Sequence, residues 1–266
     1  MLPNKTKQTL TFCLGIILIG CLIQAAGWVR NDRLVFPAVP EILRAFFDLL
    51  KTPGTWRKIW VTLRHLIEAL ALSTVLGVLI GVAEGVSAFV RNLLRPLMIL
   101  LRSVPMIVMV IVVMVLSRKY DRVPLIVSSL FLVPMISEAA CEGLRAIDRE
   151  LIDVYRLNGR FGPRVLFGVY LPLMAGYLRQ GYANAAGMGL KMVVSTEYLV
   201  QTRDSLGKAV YSSSYFNEYQ DIYAYALIMI FLVLALTQLP VAVVRLWEWG
   251  RRKAVGSREQ GLGSRD

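Results

Sequence analysis

Basic residues at a regular spacing make the stretch from Asp153 to Pro172 the part of the sequence best suited to contact a partner protein. Arg156, Arg160 and Arg164 recur every four positions, so they share one face of a short helix. Guanidinium groups donate charge-assisted hydrogen bonds to carboxylates. We predict that this polar interruption presents a short amphipathic helix to a partner on the water side of a membrane.

A second set of polar residues lies inside the apolar run that follows. At about 100° per residue, four of them fall within about 60° of one another, and three small residues form a separate stripe roughly 100° away. A lysine inside a membrane span costs about 2.5 to 3.5 kcal/mol, so it should face water or a partner. The polar set is Gln180, Asn184, Lys191 and Ser195, and the small set is Gly181, Ala185 and Gly189.

The polar face of this run predicts a lining for a translocation cavity. Lys191 would then favour anionic or electronegative solutes, and Glu197 would lie near the outer mouth. A purely structural pairing of Lys191 with a carboxylate on another helix is the alternative. His65 is expected to be a packing or interface residue.

Other kinds of chemistry have little support in the sequence. One histidine and no Cys/His cluster predict no metal site. The Gly77 to Gly85 segment lacks the Gly-Lys-Ser/Thr ending that cradles phosphate, so we expect ATP to be bound and hydrolysed by another polypeptide. The net charge of +12 sits at the ends of apolar runs, which indicates anchoring at the membrane and argues against nucleic-acid binding.

The composition requires a membrane to hold these residues. The chain of 266 residues is 56% hydrophobic and 18% charged, and its mean hydropathy is +0.57, more than a soluble domain of this length can bury. We predict an all-α polytopic protein with six transmembrane helices, at 10–29, 66–89, 97–116, 123–140, 173–200 and 223–247.

The segments between these spans complete the expected organisation. Residues 1–9 would be cytoplasmic, and 10–29 is taken as a retained helix because no small-residue cleavage site follows it. Residues 30–65 predict an external amphipathic segment, and 248–266 a disordered basic cytoplasmic tail. The helices of 66–247 would form the core, with the cytoplasmic loop at 141–172. Small residues at intervals of four, Gly77, Gly81 and Gly85, predict close packing of the second span.

The loop carries a motif whose register has to be chosen. The motif is known from cytoplasmic loops of a family of membrane proteins, and its full pattern is EAA, three residues, Gly, nine residues, Ile, one residue and Leu-Pro. Glu138-Ala139-Ala140 spells the tripeptide, but neither the glycine nor the Leu-Pro follows on schedule. Counting back from Leu171 and Pro172 puts Val169 at the Ile position, Gly159 at the Gly position, and Asp153, Val154 and Tyr155 where EAA belongs.

In this register the chain from about Phe36 to Trp247 resembles the permease subunits of bacterial ATP-binding-cassette importers. Among these it is most similar to the branch that carries nitrate, taurine, alkanesulfonates and pyrimidine precursors of thiamine. Further matches in order are Thr62-Leu63-Arg64, Leu101 to Pro105, Gly143-Leu144-Arg145 and Leu190 to Val194 with Glu197. Val154 and Tyr155 depart from the small residues that the motif usually has.

The resemblance implies a five-helix permease core in the bacterial inner membrane, in a transport subunit that is not itself an enzyme. It implies three protein partners, which are a cytoplasmic ATPase, an extracytoplasmic solute-binding protein and a second permease copy, with lipid around them. The loop would dock in a groove of the ATPase, with Asp153 at the helix start and Arg156 and Arg160 facing the partner.

Two other classes of protein could use some of the same residues. An ion-coupled secondary transporter could employ Lys191 and Glu197 as coupling charges, but it should show inverted repeats or broken spans, and the two halves show no convincing repeat. A membrane-embedded enzyme would need clustered His, Asp and Glu residues at membrane depth, which the sequence lacks.

Overall fold

The computed structural model describes residues 37–117, 119–147 and 170–237, together with Gly15 and Val35. All the regular structure in these residues is helical, which confirms the predicted all-α class. The predicted first span at 10–29, apart from Gly15, and the tail at 248–266 lie outside the described residues.

Two helices open the described part of the chain. Helix α1 (Val39–Lys51) begins after Ala38, whose amide donates to the Glu41 carboxylate at 2.9 Å. Helix α2 (Pro53–Val86) follows directly, with Pro53 in its first turn, where a missing N–H costs nothing. The predicted external segment is therefore divided. Residues 39–51 form a separate amphipathic helix, while residues 53–65 belong to the long helix of the second span.

The third span is bent sharply. Helix α3 (Ala88–Ser103) and helix α4 (Met106–Leu116) meet at an angle of 102°, whereas the sequence predicted one span from residue 97 to 116. Pro105 causes the break, because it keeps the preceding Val104 in an extended conformation and cannot continue the helix.

The remaining helices complete the core. They are α5 (Val123–Arg145), α6 (Leu171–Val200), α7 (Leu206–Tyr215) and α8 (Tyr219–Thr237), with a short 3₁₀ turn at Tyr120–Arg122 before α5. Among the described residues, three helices are long and apolar enough to cross a membrane, or up to four if the bent pair counts as one span. Helix α6 is also long enough, at 30 residues, but it carries the polar set identified above.

Helices α2, α5 and α6 pack closely because small residues lie at their contacts. A Cβ added at Gly77 or Gly81 would meet the backbone of α5, and one at Gly85 would meet Leu144. On α6, Gly181 lies against Ala139 and Gly189 lies against Leu66 and Leu132. Ala185 is fully buried between them. These contacts fix the depth of each α6 residue relative to α5.

Candidate functional site

The two ends of the predicted coupling loop lie together. Ile147 after α5 and Tyr170 before α6 belong to one buried cluster with Leu144 and Met174. Leu171 and Pro172 form the first turn of α6. The other predicted coupling residues, Asp153, Val154, Tyr155, Arg156, Gly159, Arg160 and Val169, lie outside the described residues.

The alternative EAA tripeptide lies inside a helix. Glu138, Ala139 and Ala140 are all within α5, and Ala140 is completely buried. The Glu138 carboxylate accepts a hydrogen bond from Arg102 Nη2 at 2.6 Å. These three residues therefore lie within α5, before the chain leaves that helix, with Glu138 exposed, Ala139 half-buried and Ala140 in the packed core.

Four of the predicted pathway residues share one exposed side of α6. The side chains of Gln180, Asn184, Lys191 and Ser195 are all exposed. Gln180 Nε2 donates to Asn184 Oδ1 at 3.3 Å. Because Gly189 contacts Leu132 near the middle of α5, Lys191 lies at a comparable depth, far from either end of α5.

Glu197 has a different position from the one predicted for it. Its side chain is wholly buried and does not lie on the exposed side of α6. Thr62 donates to Oε2 at 2.8 Å, the Gly207 amide donates to Oε2 at 3.3 Å, and His65 Nδ1 lies 2.7 Å from Oε1. The carboxylate thus joins α2, α6 and α7, and His65 has the interface position that the sequence predicted.

A polar groove of about 390 Å³ separates α5 from the exposed side of α6. Gln180 and Asn184 line its α6 wall with Tyr177, and Glu138 and Glu142 line its α5 wall. Two of the predicted pathway residues, Gln180 and Asn184, therefore face two carboxylates of a neighbouring helix. The sequence offered a signal for these, since Glu138, Glu142 and Arg145 recur at helical spacing in an otherwise apolar segment.

A second groove of about 270 Å³ lies between α3 and α5. It contains Glu138 and Glu142 again, so the two grooves meet along the same face of α5. Glu84 at this groove is buried and accepts from Ser137 at 3.1 Å. The arginines of this groove are Arg91, Arg95, Arg102 and Arg145.

We use the name polar face for the exposed side of α6 together with these two grooves. It runs from Ser195 and Lys191, through Gln180 and Asn184, to the charged groups of α5 and α3. Sequence reasoning identified its α6 part. It placed Arg102 only within the matched segment Leu101 to Pro105, and Glu138 only in a tripeptide that did not fit the motif. Among the described residues, no group of three or more His, Cys, Asp or Glu residues could hold a metal ion.

Comparisons with known proteins give the chain a family. Residues 73–252 match the model of the binding-protein-dependent transport system inner membrane component. The glycine betaine/proline betaine transport system permease protein ProW of Escherichia coli is 26% identical over 141 residues, which is 53% of this chain and 40% of that protein. The chain thus spans well under half the length of this relative.

Two other similar proteins are matched over nearly their whole length. A probable ABC transporter permease protein of Brucella abortus is 23% identical over 245 residues, covering 90% of this chain and 97% of that protein. A solved structure of the MetNI methionine ABC transporter in an inward-facing conformation has a TM-score of 0.60 at 20% identity, covering 73% of this chain and 95% of that one.

The two relatives whose names give a solute are betaine and methionine transporters. The predicted nitrate, sulfonate and taurine branch therefore stays a prediction. The family model covers most of the described helices, and the solved structure shares their fold. The chain belongs to the family of binding-protein-dependent transport system inner membrane components.

Proposed function

We propose that this chain forms the membrane pathway of an ATP-binding-cassette importer for a small solute that carries an anionic group. A separate cytoplasmic ATPase supplies the energy and an extracytoplasmic binding protein delivers the solute. Family membership supports the class of transporter. The polar face supports the location of the pathway.

The observation that carries this proposal is the exposure of Lys191 on α6, at a depth that corresponds to the middle of α5. An ammonium group facing lipid at this depth is costly, by about 2.5 to 3.5 kcal/mol on the insertion scale. No described carboxylate forms an ion pair with Lys191. Gln180, Asn184 and Ser195 on the same side raise the cost of lipid exposure further. This side of α6 therefore faces water or another protein chain.

A second copy of the permease satisfies this requirement. Two copies whose polar faces oppose each other across a two-fold axis enclose a polar space and remove both faces from lipid. Closed two-fold symmetry is the commonest arrangement of soluble oligomers. The structure of the methionine transporter supports the shared fold of one subunit. We therefore assign the pathway to the space between two copies.

The chemistry of Lys191 supports an anionic group on the solute. Nitrate, alkanesulfonates and taurine carry such a group, as do the betaines and methionine that the named relatives transport. Pyrimidine precursors, the remaining solutes of the resembling branch, lack this feature and fit less well. The binding protein selects the solute in this class of importer. The permease therefore needs only a positive charge that attracts anionic groups without distinguishing between solutes.

Coupling to the ATPase is assigned to the loop between α5 and α6. The buried cluster of Ile147, Tyr170 and their neighbours holds the two ends of this loop together. Pro172 begins the next helix without losing a hydrogen bond. A short helix held in this way transmits movement of a docked ATPase to α5 and α6, the two helices that carry most of the polar face.

Uptake by a reconstituted complex tests this function. The permease, its ATPase and its binding protein in proteoliposomes should take up solute in an ATP-dependent, vanadate-sensitive manner. Substituting Lys191→Met should weaken apparent solute affinity about tenfold or more, because a charge-assisted contact is lost. Lys191→Arg should keep most of the affinity. Arg179→Met, which removes a cation from another side of α6, is the matched control.

Two results would contradict the proposal. Uptake by the permease alone without ATP would indicate a secondary transporter. Unchanged affinity and rate in Lys191→Met would remove Lys191 from the pathway.

A further inference from the structure

The point where the two grooves meet is occupied by an ion pair. Arg102 Nη2 lies 2.6 Å from Glu138 Oε2 and also donates to the Pro134 carbonyl at 2.8 Å. Pro134 is the central residue of α5 and Glu138 lies one turn beyond it, within the candidate membrane span Tyr120–Arg145. The pair therefore lies at membrane depth, between the α6 polar residues and the remaining arginines of α3.

Both partners keep unused hydrogen-bonding capacity. The side chain of Arg102 is 43% exposed and that of Glu138 is 53% exposed. One guanidinium nitrogen, Nη2, makes both contacts of Arg102, so Nη1 and Nε have no partner in the described part of the chain. Glu138 Oε1 is likewise without a described partner. The pair thus presents two free donors and a free acceptor beside each other.

The neighbouring charges repeat this mixed arrangement. Glu142 lies one turn along α5 from Glu138 and lines both grooves. Arg95 lies two turns before Arg102 on α3, on the same side of that helix. A solute with a single charge is attracted either by the arginines or by the glutamates and is repelled by the other group. A solute with both charges satisfies both sets at once.

We propose that the Arg102–Glu138 pair is a solute-contacting site in the inner half of the pathway and that it takes zwitterions. The anionic group of the solute binds the free donors of Arg102, and its cationic nitrogen binds Glu138, with Glu142 nearby. This inference rests on the proposed function, and it narrows the solute from one with an anionic group to one with both charges. Neither charge of the pair has to be displaced for the solute to bind.

The site is tested by measuring whether a solute protects an introduced cysteine, in the groove between α5 and α6, from chemical labelling. Gln180→Cys is introduced into a chain lacking Cys13, Cys21 and Cys141, and the permease is purified with its ATPase in lipid nanodiscs. A small neutral methanethiosulfonate reagent then labels the thiol. The probe is β-alanine, with propionate and propylamine as matched compounds that carry only one of its charges. We expect β-alanine at high millimolar concentration to slow labelling, and the other two to have little effect.

Variants of the pair give the second measurement. Arg102→Gln or Glu138→Gln should raise the half-protecting concentration of β-alanine about tenfold or more, because each removes a charge-assisted contact. Arg102→Lys should retain part of the protection. The exposed pair Arg64–Glu68 on α2 has a similar distance, 2.7 Å, and supplies the controls Arg64→Gln and Glu68→Gln, which should change nothing. Co-elution with the ATPase shows that each variant is folded.

The outcomes separate this inference from the proposed function. A thiol at position 180 that the reagent cannot reach would reject the aqueous pathway and the zwitterion site together. A reactive thiol that β-alanine does not protect, or that propionate protects equally well, would reject the zwitterion site alone. Protection that persists in both Arg102→Gln and Glu138→Gln would also overturn it.

Discussion

Glu197 shows how the surroundings of one residue decide its role. An acidic residue near the end of a membrane helix suggests contact with solute or solvent. In the structure its carboxylate has three partners, from Thr62, His65 and the Gly207 amide, and none of its surface is exposed. Gly207 packs so closely against α6 that a Cβ there would meet the backbone at Val194 and Tyr198. Glu197 therefore holds α7 onto α2 and α6.

Replacing this carboxylate should destabilise the protein in a graded way. Glu197→Ala leaves buried donors unpaired and opens a cavity, so we expect a loss of about 3 kcal/mol or more. Glu197→Gln keeps one acceptor oxygen and should cost less, about 1 to 3 kcal/mol. Thermal unfolding of the purified complex measures both. Glu68→Gln, at an exposed ion pair, should change stability by less than about 1 kcal/mol. Equal melting temperatures for Glu197→Ala and Glu68→Gln would contradict this role.

At the scale of elements, α5 is the helix on which the site depends. One side packs against the glycines of α2 and the small residues of α6, and another side carries Glu138 and Glu142 into the two grooves. The close packing holds these carboxylates at a set position relative to Gln180 and Asn184. A change in the packing side should therefore alter the polar side as well.

Gly81→Ala should disturb this packing directly. Its Cβ would meet the Ser137 carbonyl and Ala140, and the backbone there cannot rotate away. We expect a loss of about 1 to 3 kcal/mol, the usual cost of overpacking, measured by thermal unfolding. Gly176→Ala is the matched control, because a Cβ at Gly176 meets nothing within 4 Å. A Gly81→Ala protein as stable as Gly176→Ala would show that α2 and α5 are not in close contact.

At the scale of the whole molecule, the polar face is a surface that the described helices of one chain leave uncovered. It places charged and amide groups at membrane depth on a side that no described helix of the same chain covers. The apolar sides of α3 and α4, with exposed Phe89, Leu93, Ile107 and Ile111, are suited to lipid. One molecule thus has a side suited to lipid and a polar side, which in our proposal faces water and a second copy.

Assembly with the ATPase should depend on the arginines of the coupling loop. Arg156→Glu with Arg160→Glu reverses two charges that we expect to face the partner, and it should weaken association by about 2 kcal/mol or more. Co-purification at increasing salt and ATP turnover by the complex measure this loss. Arg44→Glu, on the amphipathic helix α1, is the control and should leave both unchanged. An unaltered complex would show that the loop does not dock through these residues.

The sequence alone determined the class of the protein and the exposed polar side of α6. Apolar runs of sufficient length require membrane helices, and a 3.6-residue repeat places Gln180, Asn184, Lys191 and Ser195 on one side of a helix. Both results follow from local features of the sequence, the first from the length of apolar runs and the second from helical periodicity. The sequence also contains the residue spacing that relates the loop between α5 and α6 to a known family. The match to that family extends over residues 73–252.

Only the tertiary structure decided which groups from different helices meet. Arg102 and Glu138 are 36 positions apart, and Glu197 is 132 from His65 and 135 from Thr62. No local repeat encodes such pairs, because they depend on the bend at Pro105 and on the depth at which glycines let α2, α5 and α6 pack. The same charged residue can then be a buried support, as Glu197 is, or an exposed group in a groove, as Glu138 is.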